Sequence, residues 1–571
     1  MLQIISGKFF DNDNRFHNDC KGILYSNGCV SGKNDFEFIK LESVEAYSNI
    51  SSYVVSYDNQ LQVLPAKMQL VKVGEDEIIR QLKNIFSFSF NCIFDEDKSV
   101  IEKICRSKGN GSGRGDVPSD FIKDTLNVKK IIPAESIEES KKFFKQVIGL
   151  NRQNYINVLN CLIAYNASIR LLDEDKNLAY STLVYCLESL VQRYDTYEPV
   201  WDDYEQNKKE KLEKVFRRIS EIESTEIKGL LIKDEHLKLA QRFRKFVIKY
   251  LDDTYYQRKE NRHLIHKDDV EIALSNAYIT RSKYAHMLKP IMKQLTMADF
   301  SKDSDSFSFI HDIFFTYSGL LRTVRTVITN FIFSLVTVET EKFNWYDDLP
   351  GMFEMQPAPY FWIWKKDKQS GEGAEARLEG LIECLVYYRN NIPPMDDVVT
   401  LYFQHLFQMN EYNRRAAFAL GCIYAKLISN IDGEKRNLYD DYIEKNLNLI
   451  DKCCIHNLIL AVVPINIQKD IDWSTEDCEN VIMEYNKKKH KHNHLRLPPE
   501  VETMIYLMIA NSAKDDDDSK KQRHWLLKAF DNSNNSTDIQ AKISEALESK
   551  ESFDISLVWD RIYARFQKSS E

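Results

Sequence analysis

The sequence predicts a multidomain, mainly α protein. It has a β-rich N-terminal domain over residues 1–106, an all-α helical bundle over 120–340, and an α-helical, repeat-like C-terminal domain over 341–571. Three observations carry this reading. Short apolar runs divided by turn signals fill the N-terminal part. Apolar residues at three- and four-residue spacing then take over. Further helical patterns with short polar links run on from about residue 374. With 571 residues, 43% hydrophobic and 29% charged, the chain can bury several cores.

Taken in order, Gly22-Ile23-Leu24-Tyr25, Ser52-Tyr53-Val54-Val55-Ser56-Tyr57 and Phe86-Ser87-Phe88-Ser89-Phe90 read as strands. Asp11-Asn12-Asp13-Asn14, Ser26-Asn27-Gly28 and Tyr57-Asp58-Asn59 supply the turns. Ser107 to Asp116 is Gly-rich, and residues 107–119 read as a linker or loop. A phosphate-cradling loop is the competing reading, but the segment lacks the Gly-Lys-Ser/Thr ending of a P-loop. Residues 154–165 and 178–190 follow as helices, and Glu188 interrupts the apolar pattern of the second.

Charged helices occupy 205–250. Arg242, Arg244 and Lys245 there read as solvated helix faces with i,i+4 pairs, or alternatively as the rim of an RNA cleft. Met297 to Phe307 is polar and reads as a loop, and Gly319 to Ile328 as a last bundle helix. In the C-terminal part, helices are expected over 374–388, 395–407, 414–428, 443–463, 476–486, 499–513 and 521–530. Lys487 to His494 is basic and His-rich and reads as a solvated loop, with metal or phosphate binding as the other reading. Asp515 to Asp518 lacks the glycine and spacing of an EF-hand and reads as a turn.

The net charge of −9 supplies no global basic field, so any nucleic-acid site must be a local patch. Eleven cysteines without a CxxC pair predict reduced thiols and no zinc framework. The first residues lack a signal-peptide h-region, and no apolar run approaches a membrane span. Phe331 to Val336 is apolar but short, as in a buried helix. A cytoplasmic protein without membrane contact is the expectation.

One stretch concentrates the chemistry. Asp268 to Lys289 reads as a helix capped by Asp268 or Asp269. Leu274, Ala277/Tyr278, Arg281, Ala285 and Leu288 form its apolar stripe, so Arg281 lies on the stripe. A guanidinium there needs a carboxylate or a site, because its desolvation is costly. His286 follows Arg281 by five residues, roughly 140° around an ideal helix. Pro290 marks a stop. A second pair with the same spacing, Arg258 and His263, sits in a polar stretch that reads as a solvated loop.

Tyr278-Ile279-Thr280-Arg281-Ser282-Lys283-Tyr284-Ala285-His286 resembles the Arg-x4-6-His motif of the HEPN superfamily, in particular the ApeA-like HEPN branch with its Tyr-x-x-Arg-Ser-Lys-x-x-His string. Leu187-Glu188-Ser189-Leu190 resembles the Leu-Glu-x-Leu string of an early helix in that branch. Ser6 to Phe10 with Lys21 to Leu24 loosely resembles the start of ApeA-type N-terminal domains. The resemblance implies a helical bundle that pairs face to face as a homodimer. It implies a metal-independent endoribonuclease without a cofactor, acting in anti-phage, abortive-infection defence, with RNA as substrate and a phage or host protein as a possible trigger.

In that reading His286 is general acid or base, and Arg281 stabilises charge on the phosphate. Glu188 would hold Arg281, and Arg242, Arg244, Lys245 and Lys283 would touch RNA. Many active members carry Asn, Asp or His directly after the Arg, where this chain has Ser282. The alternative is a non-catalytic dimerisation scaffold whose C-terminal helices bind a partner protein. A nucleotide sensor built on the Gly-rich segment is a third reading.

Overall fold

Two 12-residue strands, β1 (Arg15–Ser26) and β4 (Ser51–Gln62), pair antiparallel along their whole length, from Arg15 opposite Gln62 to Ser26 opposite Ser51. With β2 (Lys33–Asp35), β3 (Ile39–Glu45) and β5 (Phe94–Asp95) they form a five-stranded sheet of order β2-β3-β4-β1-β5. Over residues 51–60 of β4 the side chains alternate buried and half-buried, with Tyr53, Val55 and Tyr57 turned inward. This is a computed structural model. It describes all residues except 12–14, 46–48, 63–74, 108–114, 199, 205, 235–237, 258–261, 349–356, 366–372, 429–430, 492–493 and 568–571.

The chain divides into two compact units, Met1–Phe353 and Glu354–Glu571. Both are mainly helical. In the first, α1 (Glu75–Ser89) packs on β1 and carries the buried Ile78, Leu82, Ile85 and Phe86. The strand expected at Phe86–Phe90 is therefore mostly the last turn of this helix. Ile85, Phe86, Phe88 and Phe90 are all buried, and a short apolar run buried on every side has no helical or strand period to read.

The bundle follows: α2 (Ala134–Gly149), α3 (Arg152–Leu171), α4 (Lys176–Tyr194), α5 (Leu239–Lys249), α6 (Val270–Met287) and α7 (Tyr317–Ser334). Helix α4 is its centre and packs against α3, α5, α6 and α7. The loop expected over 297–307 holds a one-turn helix at Ala298–Ser301, and the hairpin β6 (Ser306–Phe309) with β7 (Asp312–Phe315) begins in it and packs on α6.

Residues 1–106 and 120–340 were each expected to form a domain, and here they share one hydrophobic core. The reason is visible at the N-terminal segment. Gln3 Nε2 donates to the carbonyls of Ile148 and Leu150 at 3.0 and 2.7 Å, closing the end of α2. Lys8 Nζ donates to the same two carbonyls.

The second unit holds α8 (Ala374–Tyr387), α9 (Asp396–Gln404), α10 (Glu411–Leu427), α11 (Gly433–Lys445), α12 (Ile455–Val462), α13 (Thr475–Lys488), α14 (Pro499–Asp515), α15 (Ser519–Asn532), α16 (Thr537–Ser549) and α17 (Ser556–Gln567). Helix α10 is the hub and packs against α8, α9, α11 and α12. The helix expected over 443–463 is broken. Asn457 Nδ2 donates to the Leu449 and Lys452 carbonyls, both at 2.9 Å, and so pins a turn between α11 and α12. Helices α16 and α17 lie beyond the last helix the pattern predicted. No helix among the described residues is long and apolar enough to cross a membrane.

Candidate functional site

Helix α4 begins at Asp175, whose carboxylate accepts the Asn177 and Leu178 N–H groups at 2.8 and 3.0 Å. Burial pushes the Asp175 carboxyl up, but the Leu178 N–H, the Tyr284 hydroxyl and Asn177 together outweigh it and leave the group below its usual range. Along α4 nearly every residue from Ala179 to Val191 is buried or half-buried, and Glu188 is the only carboxylate among them. Helix α6 presents Val270, Ala273, Leu274 and Ala277 to the core. The apolar stripe ends at Arg281, since Ala285 and Leu288 are exposed.

The guanidinium of Arg281 meets the carboxylate of Glu188. Both side chains are largely buried, 13% and 10% exposed. The Tyr185 ring centre lies 4.6 Å from the Arg281 guanidinium carbon and the Tyr278 ring 5.4 Å from it. Burial draws the Arg281 pKa below its ordinary value, and Tyr185 opposes that shift. Tyr278 in turn packs on Phe243 of α5, with ring centres 5.4 Å apart. A desolvated cation between aromatic faces is held by both charge and quadrupole.

The far end of α6 is tied to the start of α4. The Tyr284 hydroxyl donates to Asp175 Oδ2 at 3.0 Å, and the Ile291 N–H to Asn177 Oδ1 at 2.9 Å. The helix closes at Leu288, which is left-handed with φ 50. Its N–H donates to the Tyr284 carbonyl at 2.9 Å. Neither Asp268 nor Asp269 makes the expected cap: a 3-10 turn over Lys267–Asp269 leads into α6, and the Asp269 side chain accepts no cap hydrogen bond. Their charge still suits the positive helix end.

His286 is exposed about 1.4 turns beyond Arg281, and its side chain has no hydrogen bond or ion pair among the described residues. The α-helix is unbroken through both residues, so they leave the axis on different sides. Lys283 is exposed beside them. Arg242 Nε donates to Asp195 Oδ2 at 2.6 Å, and Arg244 Nε to Glu271 Oε1 at 3.2 Å, so both guanidiniums are engaged by carboxylates. Lys245 is exposed.

Of the second pair, Arg258 lies outside the described residues. His263 has an exposed side chain, and its N–H donates to the Asp303 carbonyl at 2.8 Å. The stretch is not all solvated, however. Arg262 Nε donates at 2.7 Å to Asp305 Oδ1, a fully buried carboxylate that also meets Arg322. Most of the Gly-rich run, 108–114, lies outside the described residues. The His-rich run is not all solvated loop: Lys487 and Lys488 end α13, Lys489 meets the buried Glu502 at 2.7 Å, Lys489 and His490 form a turn, and His492 and Asn493 are not described. Among the described residues no three His, Cys, Asp or Glu side chains are grouped to hold a metal ion.

The contact that the sequence reading did not single out is Tyr185. The signal is present in the spacing: Tyr185 precedes Glu188 by three residues, as Tyr278 precedes Arg281. Such a pair of rings identifies itself only once α4 and α6 are known to be neighbours. Searches against protein-family models, curated proteins and solved structures find no match to this chain.

Proposed function

We propose that the α4–α6 bundle is a HEPN-type, metal-independent endoribonuclease working as a homodimer, in anti-phage defence. The observation that carries the reading is the Arg281–Glu188 pair set between Tyr185 and Tyr278, with His286 free at the exposed end of the same helix. RNA brings its own nucleophile, the 2′-OH, so the reaction needs only proton transfer and charge stabilisation. His286 acts as acid or base and Arg281 stabilises the phosphate, leaving a 2′,3′-cyclic phosphate and a 5′-OH.

Because Arg281 and His286 leave one helix on different sides, a symmetric partner is the economical way to bring a second copy of each to one cleft. Met287 and Leu288, 71% and 75% exposed next to His286, give such a contact an apolar margin.

One observation favours the other reading. Arg281 is largely buried and already has a carboxylate partner, as it would in a non-catalytic dimerisation scaffold. Incubation of the purified chain with total cellular RNA in EDTA separates the two. The nuclease reading expects cleavage by the unaltered chain and by His263→Ala, and none by a folded His286→Ala. Cleavage that survives His286→Ala would remove the assignment.

A further inference from the structure

A cavity of about 620 Å³ opens in the second unit between α10, the turn before α12, α13 and the segment at His494 and Leu495. That volume is the size of an ordinary small-molecule site. Most of its wall is apolar, supplied by Tyr412, Ile455, Val481, Tyr485 and Leu495. Arg415, Lys452, Lys488 and Lys489 also line it; Lys488 is paired with Glu484, and Lys489 with the buried Glu502 at 2.7 Å. Glu411 is shared, at 2.6 Å from Arg415 and 3.1 Å from Lys452, so one carboxylate answers two cations.

Two polar atoms of the lining are unusual. His456 is 1% exposed and its Nε2 has no hydrogen-bond partner among the described residues. Arg415 Nε is also buried without a partner. Buried donors and acceptors are nearly always satisfied in a folded chain, because an orphan loses its bonds to water without gaining others. Here two of them border the same cavity. The Tyr412 ring stands edge-on to the His456 ring with centres 4.7 Å apart, which holds the imidazole in place. Burial, helped by the charge of Arg415, pulls the His456 pKa down to about 4, so at neutral pH the ring is an uncharged hydrogen-bonding group.

We propose that this cavity binds a small organic anion, with its apolar body against Val481, Tyr485 and Leu495 and its phosphate or carboxylate group at Arg415. The one positive charge left over where Arg415 and Lys452 share Glu411 selects an anion, the apolar wall selects a body larger than inorganic phosphate, and the two orphan atoms supply the polar contacts. Nothing in this depends on the nuclease reading, which concerns the other unit.

The test is calorimetric titration of the full chain with 1-naphthyl phosphate, with 1-naphthol and inorganic phosphate as separate arms. The expected result is saturation at one site per chain, with each of the other two at least about tenfold weaker. Arg415→Gln should weaken 1-naphthyl phosphate by about tenfold or more, as expected for loss of a charge-assisted contact. Val481→Trp, which fills the cavity from its half-exposed wall, should abolish binding, and it decides the matter if Arg415→Gln does not fold. The proposal is overturned if 1-naphthyl phosphate does not saturate, if 1-naphthol binds equally well, or if the folded Val481→Trp chain binds like the unaltered one.

Discussion

Arg281 is a cation held among aromatic neighbours. Its charge must be compensated because the side chain is largely withdrawn from water, and Glu188 is the carboxylate that meets it. Removing one partner of such a pair leaves the other charge uncompensated. Glu188→Gln is therefore expected to destabilise the first unit by about 3 kcal/mol, read as a lower urea midpoint. Replacing both residues with leucine should recover most of that loss, since no buried charge is left. If Glu188→Gln leaves the midpoint where it was, the guanidinium is better hydrated than its 13% exposure indicates. The same pair shows what a residue-level reading of the sequence can reach. A lone arginine on an apolar stripe demands a carboxylate, and Glu188 was the acidic residue on an apolar helix. The aromatic faces and the buried Asp305 depend on neighbours far along the chain, and no local pattern announces them.

At the scale of elements, one short pattern appears twice with opposite outcomes. Phe86-Ser87-Phe88-Ser89-Phe90 ends a helix, whereas Ser306-Phe307-Ser308-Phe309 is a strand. The first continues a 15-residue helix and is buried on nearly all sides. The second runs from half-buried Ser306 and Phe307 to exposed Ser308 and Phe309 and turns at Ile310, φ 60, into the strand it pairs with, so pairing across the hairpin rather than burial sets its conformation. Long periodic helices such as α3, α4, α14 and α15 were legible because one face repeats over several turns. The break between α11 and α12 was not, because it is made by the side chain of Asn457 rather than by Gly or Pro. Helix α7 offers a sharp test of element packing. Gly319 lies in its first turn, where an added Cβ would overlap the Asp305 carbonyl. Gly319→Ala should cost about 3 kcal/mol through overpacking, measurable by chemical denaturation. A cost near zero would mean that the 305 segment can withdraw from the helix.

For the whole molecule, two compact units with separate cores predict that a local change moves one thermal transition and leaves the other. His456 supplies the lever. Its pKa is about 4 in the folded second unit against 6.5 unfolded. Above 6.5 both states are neutral. Between 6.5 and about 4 only the unfolded chain takes the proton, so stability falls with falling pH by about 3 kcal/mol and then levels off. Scanning calorimetry from pH 7.5 to 4.5 should show one transition falling more steeply than in the His456→Gln chain. Equal slopes would remove His456 as the cause. The dimer prediction also belongs here: light scattering should give twice the 67.0 kDa chain mass. A monomer that cleaves RNA at full rate would exclude the shared cleft.

Asp305 has a consequence in time as well as in energy. Its buried carboxylate joins Arg262, 43 residues before it, to Arg322, 17 residues after it. Contacts that close long loops pay their entropy early and are rewarded late, so this knot should tie after the main folding barrier. Asp305→Asn is then expected to speed unfolding while leaving the refolding rate nearly unchanged, the mark of an interaction absent from the transition state. In the cell such a knot sets how long the bundle lasts once folded, not how fast it forms.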